Sequence, residues 1–250
     1  MQLAGKVAAV TGGNGGLGQR ICHVLAQAGV AVAVVYARSE AQASAVAAEL
    51  SRDYSVPAKA VACDLTDPAA VSDCARVVEQ SFGRCDLLIN DAAYNKWIPF
   101  SDLDALSFEE WQKILAVNLS GPLLMIKAFA PLLKREGQGR IVNVASIAGL
   151  APSGSSIAYA VSKAGLIHLT RCMAVALAPD VLVNCVAPGY LDGTRATANL
   201  DPAYRERAAQ SAILKRAADK DDIARQVLAF CQTDSITGQT LAIDAGRVFH

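Results

Sequence analysis

Short runs of β-branched and small apolar residues recur along the chain at Val7–Val10, Val30–Val35, Ala58–Ala62, Leu87–Ile89, Ile141–Val144, Val181–Val186 and Leu241–Ile243. Strict alternation of apolar and polar positions would mark strands with one wet face. These runs are nearly continuous, which marks strands buried on both faces of a parallel sheet. Longer segments of helical period separate them, as where Ile21, Leu25 and Ala28 fall on one apolar face. The rhythm is βαβ. Right-handed crossovers then place helices above and below a doubly wound α/β sheet of about seven strands.

Helix starts carry their own chemistry. Ser39 with Gln42 and Ser107 with Glu110 read as capping boxes, and Asp67 before Pro68 reads as an N-cap followed by a proline the first turn tolerates. No internal repeat, low-complexity tract or linker divides the chain, so the expectation is a single domain over residues 1–250. Residues 190–218 are the least strand-like interval between the last two strands. They predict a loop with one or two short helices, covering the carboxyl ends of the strands where open α/β sheets bind ligands.

Composition agrees with a sheet covered on both sides: 53% of residues are hydrophobic and 18% charged. Lys plus Arg equals Asp plus Glu, which leaves no electrostatic footprint for nucleic acid or an anionic membrane. The seven cysteines are spread out without metal or redox spacing and read as reduced, small hydrophobes, which favours the cytoplasm. No signal peptide precedes the first strand, and apolar runs such as Val30–Val35 are far shorter than a membrane span of roughly 20 residues. A soluble protein is expected. His23, His168 and His250 are isolated, so no metal site is expected, and no G-x-S-x-G elbow supports a serine hydrolase.

The first strand leads directly into Thr11-Gly12-Gly13-Asn14-Gly15-Gly16-Leu17-Gly18 and then a helix. Glycines let backbone approach a pyrophosphate, and the helix N-terminus offers it free N–H groups and positive potential. At the end of the second strand, where an NAD-preferring fold usually holds an acid for the ribose, stand Tyr36, Ala37, Arg38 and Ser39. A guanidinium and a hydroxyl there suit a 2′-phosphate, so NADP(H) is favoured and NAD(H) remains the other possibility. Farther on, Tyr159 and Lys163 stand four residues apart, on one face of the helix after the fifth strand. An ammonium beside a phenol stabilises phenolate and makes the phenol a better proton donor to a developing alkoxide.

These motifs together resemble the short-chain dehydrogenase/reductase family, particularly members of the 3-oxoacyl-carrier-protein reductase kind. The loop resembles the family's TGxxxGxG, with Gly12, Gly16 and Gly18 at its glycine positions. Asp64-Leu65 resembles the adenine-contacting pair, and Asn90-Asp91-Ala92-Ala93 the NNAG segment, from which Asp91 and Ala93 depart. Ser146 lies thirteen positions before Tyr159, as the family's catalytic serine does, and Asn118 matches the asparagine that interrupts a helix and helps hold a water linked to the lysine. The stretch Asn184 to Gly189 resembles the end of the sixth strand, with Pro188 and Gly189 near nicotinamide, although Gly193 stands where a threonine is expected. Thr237-Gly238-Gln239 also matches.

The resemblance implies a Rossmann-like fold and hydride transfer between nicotinamide and a carbonyl or secondary alcohol. Ser146 and Tyr159 would polarise the carbonyl, Tyr159 would deliver the proton, Lys163 would lower the phenol's pKa and hold the ribose, and Asn118 would connect the site to solvent. Leu191, Leu150, Tyr94, Trp97 and Tyr190 are candidates for the small-molecule pocket. A homo-oligomer, a tetramer by resemblance, is expected. The alternatives are an NAD-dependent sugar or secondary-alcohol dehydrogenase and, from another class, a nucleotide-sensing binding protein without turnover.

Overall fold

Seven strands form one parallel sheet in the order β3-β2-β1-β4-β5-β6-β7. They are β1 (Val7–Thr11), β2 (Ala31–Tyr36), β3 (Ala58–Ala62), β4 (Leu87–Asn90), β5 (Gly139–Val144), β6 (Val181–Pro188) and β7 (Thr240–Ile243). Every strand lies where the apolar pattern predicts it, within a residue or two at each end. The structure, a computed structural model, describes residues 1–198 and 200–249 and leaves aside the side chains of Arg195 and Ala196. His250 lies outside the described residues.

Period-two alternation sends neighbouring side chains to opposite faces, and both faces are buried. Ala8, Val10, Val32 and Val34 pack with Ile21 and Leu25 of α1 (Gly16–Gln27), Leu50 of α2 (Glu40–Tyr54) and Val227 of α9 (Lys220–Gln232). Ala9, Ala33, Val35 and Leu88 pack on the other side with Val78 of α3 (Pro68–Phe82), Phe129 of α5 (Gly121–Lys134) and Leu177 of α6 (Ile157–Leu177).

The caps divide. Ser107 accepts a hydrogen bond from Glu110 N at 3.2 Å at the start of α4 (Phe108–Leu115), and Asp67 accepts one from Ala69 N at 2.8 Å before α3. Ser39 does not cap α2: its backbone is left-handed, with φ +64°, and its hydroxyl makes no capping bond. The capping-box pattern there is overridden by the tight turn out of β2.

Between α4 and α5 the helix widens into a π-turn over Ala116–Ser120 that carries Asn118. The continuous helix Phe108–Lys134 and the 21-residue α6 are long and apolar enough to cross a membrane by length and composition. Here each turns one face into the core. Met125, Phe129 and Leu133 of the first, and Leu166, Ala174 and Leu177 of the second, are buried inside the fold. Residues 190–218 contain α7 (Arg195–Ala198) and α8 (Pro202–Ser211). The chain after α8 is tied to the C-terminus by Ile213 N to Gly246 O and Leu214 N to Ala245 O, both 3.1 Å.

Candidate active site

The sheet reverses its winding between β1 and β4, and a cleft of about 650 Å³ opens at their carboxyl ends. Thr11 Oγ1 fixes this switch point by accepting hydrogen bonds from the N–H groups of Asp91 and Ala92, at 3.0 and 3.1 Å. Gly12, Asn14, Gly15, Gly16 and Leu17 form one wall. Gly15 is the N-cap of α1, no side chain caps that end, and its first turn holds no acid. Unclaimed N–H groups and the positive helix end therefore face the cleft, a donor set that fits the pyrophosphate of a nicotinamide dinucleotide.

Gly18 plays a different part from the one its motif position suggests. It is not in the cleft wall. A Cβ on it would lie 2.2 Å from Gly12 O, so its bareness lets α1 settle on the loop. Asn14 also holds structure together, donating its amide to Arg38 O at 3.0 Å and thereby fixing the end of β2 against the loop.

Tyr36, Arg38, Asp64, Leu65 and Ala92 line the cleft, joined by Cys63 and Thr66, which the motifs do not single out. Hydrogen bonds from Thr66, and then the Arg38 guanidinium, hold the Asp64 carboxyl below its usual range. Ser39 is exposed and outside the lining. Asn90 is buried beneath it, donating to Asn143 Oδ1 at 2.9 Å.

At the far end, Ser156 caps α6 by accepting from Tyr159 N at 3.1 Å, which sets Tyr159 and Lys163 one turn apart facing the cleft. Lys163 is 2% exposed; its Nζ donates to Val144 O at 2.8 Å, at the end of β5, and sits 5.8 Å from the centre of the Tyr159 ring. Ser146 leads the short helical turn Ile147–Gly149, accepts from Ala148 N at 3.2 Å and donates to Pro188 O at 3.5 Å, with its hydroxyl near enough to the Tyr159 phenol to lower that group's pKa. A Cβ on Gly149 would come within 2.6 Å of the Lys163 backbone, so only glycine lets this turn lie directly on α6. Pro188, Gly189 and Leu191 close this end.

Asn118 stays out of the cleft. It is fully buried, accepting from Tyr94 N at 2.8 Å and donating to Tyr94 O at 2.9 Å and Ser162 Oγ at 3.1 Å. Its amide is spent on positioning the segment after β4.

Burial pushes the Tyr159 phenol up to about 12, and the Ser146 hydroxyl pulls against that shift. Burial lowers Lys163 to about 8, with Asp91 opposing, and raises Asp91 to about 7, with Lys163 opposing. Asp91 and Tyr94 are in the lining, as is Lys113, whose ammonium lies 4.4 Å from the Tyr94 ring centre. Tyr204 on α8 packs against Trp97 with ring centres 5.0 Å apart and planes tilted by 54°, has the Arg247 guanidinium 6.0 Å from its ring, and raises the Tyr159 pKa further. Sequence reasoning passes over Lys113 and Tyr204 because their partners are set by tertiary packing, not by any local motif. Leu150 packs instead beside Ala145 and Leu166. Among the described residues no group of three His, Cys, Asp or Glu side chains could hold a metal ion.

Residues 6–205 match the short chain dehydrogenase family. A protein of Streptomyces violaceoruber, named as ketoacyl reductase 2 of the granaticin polyketide synthase, is 38% identical over 96% of this chain and 95% of its own. The 3-oxoacyl-[acyl-carrier-protein] reductase of Aquifex aeolicus is 32% identical over 98% of both. The crystal structure of an NADPH-dependent 3-quinuclidinone reductase from Rhodotorula rubra superposes with a TM-score of 0.89 at 29% identity, covering 98% of this chain and 92% of the other. Similarity so continuous in sequence and in structure shows descent: the chain belongs to the short-chain dehydrogenase/reductase family of NAD(P)-dependent oxidoreductases.

Proposed function

We propose that the protein is an NADP(H)-dependent reductase of ketones, with 3-oxoacyl thioesters as the leading substrate class. The observation that carries the chemistry is the convergence of Ser146, Tyr159 and Lys163 at one end of the cleft, with an uncapped helix end at the other. The relatives named as ketoacyl and 3-oxoacyl reductases support the substrate class, and the NADPH-dependent relative supports the cofactor.

Gly12, Asn14, Gly15, Gly16 and Leu17 would hold the pyrophosphate, Tyr36 and Arg38 the adenosine ribose, Asp64 and Leu65 the adenine, and Ala92, Pro188, Gly189 and Leu191 the nicotinamide end. When bound, the cofactor supplies or accepts the hydride. The hydroxyls of Ser146 and Tyr159 hold the substrate oxygen, and Tyr159 gives that oxygen its proton. In the reverse direction Tyr159 takes the proton. The Lys163 ammonium favours the phenolate left behind and would bond the nicotinamide ribose. Asn118 acts as a positioning residue through Tyr94 and Ser162.

The cofactor preference rests on Arg38, which lines the cleft at the end of β2 where no acid stands. Titration with NADPH and NADH, followed by cofactor fluorescence, tests it. Tighter NADPH binding that Arg38→Asp abolishes is the expected result. Tighter NADH binding would favour an NAD-dependent sugar or alcohol dehydrogenase.

Self-association through the β7 edge is part of the same reading. Leu241 on that unpaired edge and Val175 on α6 are 43% and 83% exposed, and the chain just before β7 runs beside α6, where a Cβ on Gly238 would lie 3.5 Å from Ala174. Such an apolar edge suits a second copy of the chain. A cytoplasmic protein is the corresponding expectation.

A further inference from the structure

Asp91 is an acid inside a cleft built for an anion. Its N–H is fixed on Thr11 Oγ1 at 3.0 Å, and Oδ2 lies 3.0 Å from where a Cβ on Gly18 would sit. The carboxyl therefore rests against the first turn of α1, the uncapped helix end whose N–H groups suit a pyrophosphate. Among the described residues no cation makes an ion pair with it; the nearby Lys163 gives its ammonium to Val144 O instead. The titratable groups that feel it are Lys163 and Tyr159 on α6 and Cys22 on α1, and burial keeps the Cys22 thiol neutral.

A ligand carrying phosphates brings like charge to a poorly hydrated carboxylate, and like charge favours the neutral acid. We propose that Asp91 couples cofactor binding to proton uptake, standing as a carboxylate in the empty cleft and as a carboxylic acid once a reduced nicotinamide dinucleotide is bound. The proton comes from solvent and no covalent bond changes. This rests on the reading of the cleft as the cofactor site. Burial already raises the Asp91 pKa to about 7, so a modest further rise moves the group between its two states near neutral pH. Affinity for reduced cofactor then weakens as pH rises through that value, by at most about tenfold per pH unit for one linked proton.

The test is calorimetric titration of the whole chain with NADH and NADPH, slightly above pH 7, in buffers of different ionisation enthalpy. NADH carries no 2′-phosphate, whose own second pKa of about 6 would otherwise contribute. The expected result is a binding enthalpy that depends on the buffer, reporting fractional proton uptake, and loss of that dependence in the isosteric Asp91→Asn. A buffer-independent enthalpy in the unmodified chain overturns the inference and leaves the cofactor site standing. Uptake that persists in Asp91→Asn also overturns it and transfers the proton to Lys163. Binding of neither cofactor overturns the cofactor reading and this inference with it.

Discussion

Lys163 shows how one residue's environment sets the working range of the site. Burial lowers its pKa to about 8 although the Asp91 carboxyl opposes the shift. Its charged form is therefore complete well below that value and is lost as pH rises through it. Carbonyl reduction should decline above about pH 8, and a plot of kcat/KM against pH checks this. A rate flat to pH 10 or beyond would separate the ammonium from the chemistry. Gly18→Ala tests the loop at the same scale: its methyl would press on Gly12 O, an overpacking that typically costs about 1–3 kcal/mol, and cofactor binding should weaken accordingly. Tyr159 and Lys163 were legible as one helix face because a helix repeats every 3.6 residues, whereas Ser146 was legible only through the likeness of its spacing to the family's serine. Tyr204 was not, since only the folding back of α8 brings it to Trp97.

At the scale of elements, α6 carries Tyr159 and Lys163, and Ser156 sets where it begins. Ser156→Ala should lower stability by about 1 kcal/mol, as loss of an N-cap does, seen as a lower denaturant midpoint with unchanged slope. The same change should cost activity through Tyr159, the residue whose N–H the cap receives. Element positions followed from hydrophobic periodicity, and two of three caps followed from side-chain chemistry. The failure at Ser39 has a physical cause, because a serine, three residues and a glutamine describe a capping box only when the backbone before the helix is extended. The π-turn at Asn118 had no signal of its own beyond its likeness to the family's interrupted helix.

Over the whole molecule, parallel strands buried on both faces leave a cleft at the one place where crossovers diverge, and residues of the glycine loop, of the ends of β2 to β6 and of α6 line it together. The other consequence of the topology is a β7 edge left open. Replacing both Val175 and Leu241 by Asp should shift the chain toward monomer in sedimentation velocity, while an unchanged sedimentation coefficient would rule out that edge as the contact. The central claim remains hydride transfer assisted by the Tyr159 phenol. Its most direct test is the rate of NADPH oxidation with a 3-oxoacyl thioester for the unmodified chain and for Tyr159→Phe, with cofactor binding measured on both. The account predicts a loss of roughly 10²–10⁴ in kcat with cofactor affinity retained. Turnover by Tyr159→Phe near the unmodified rate would contradict it.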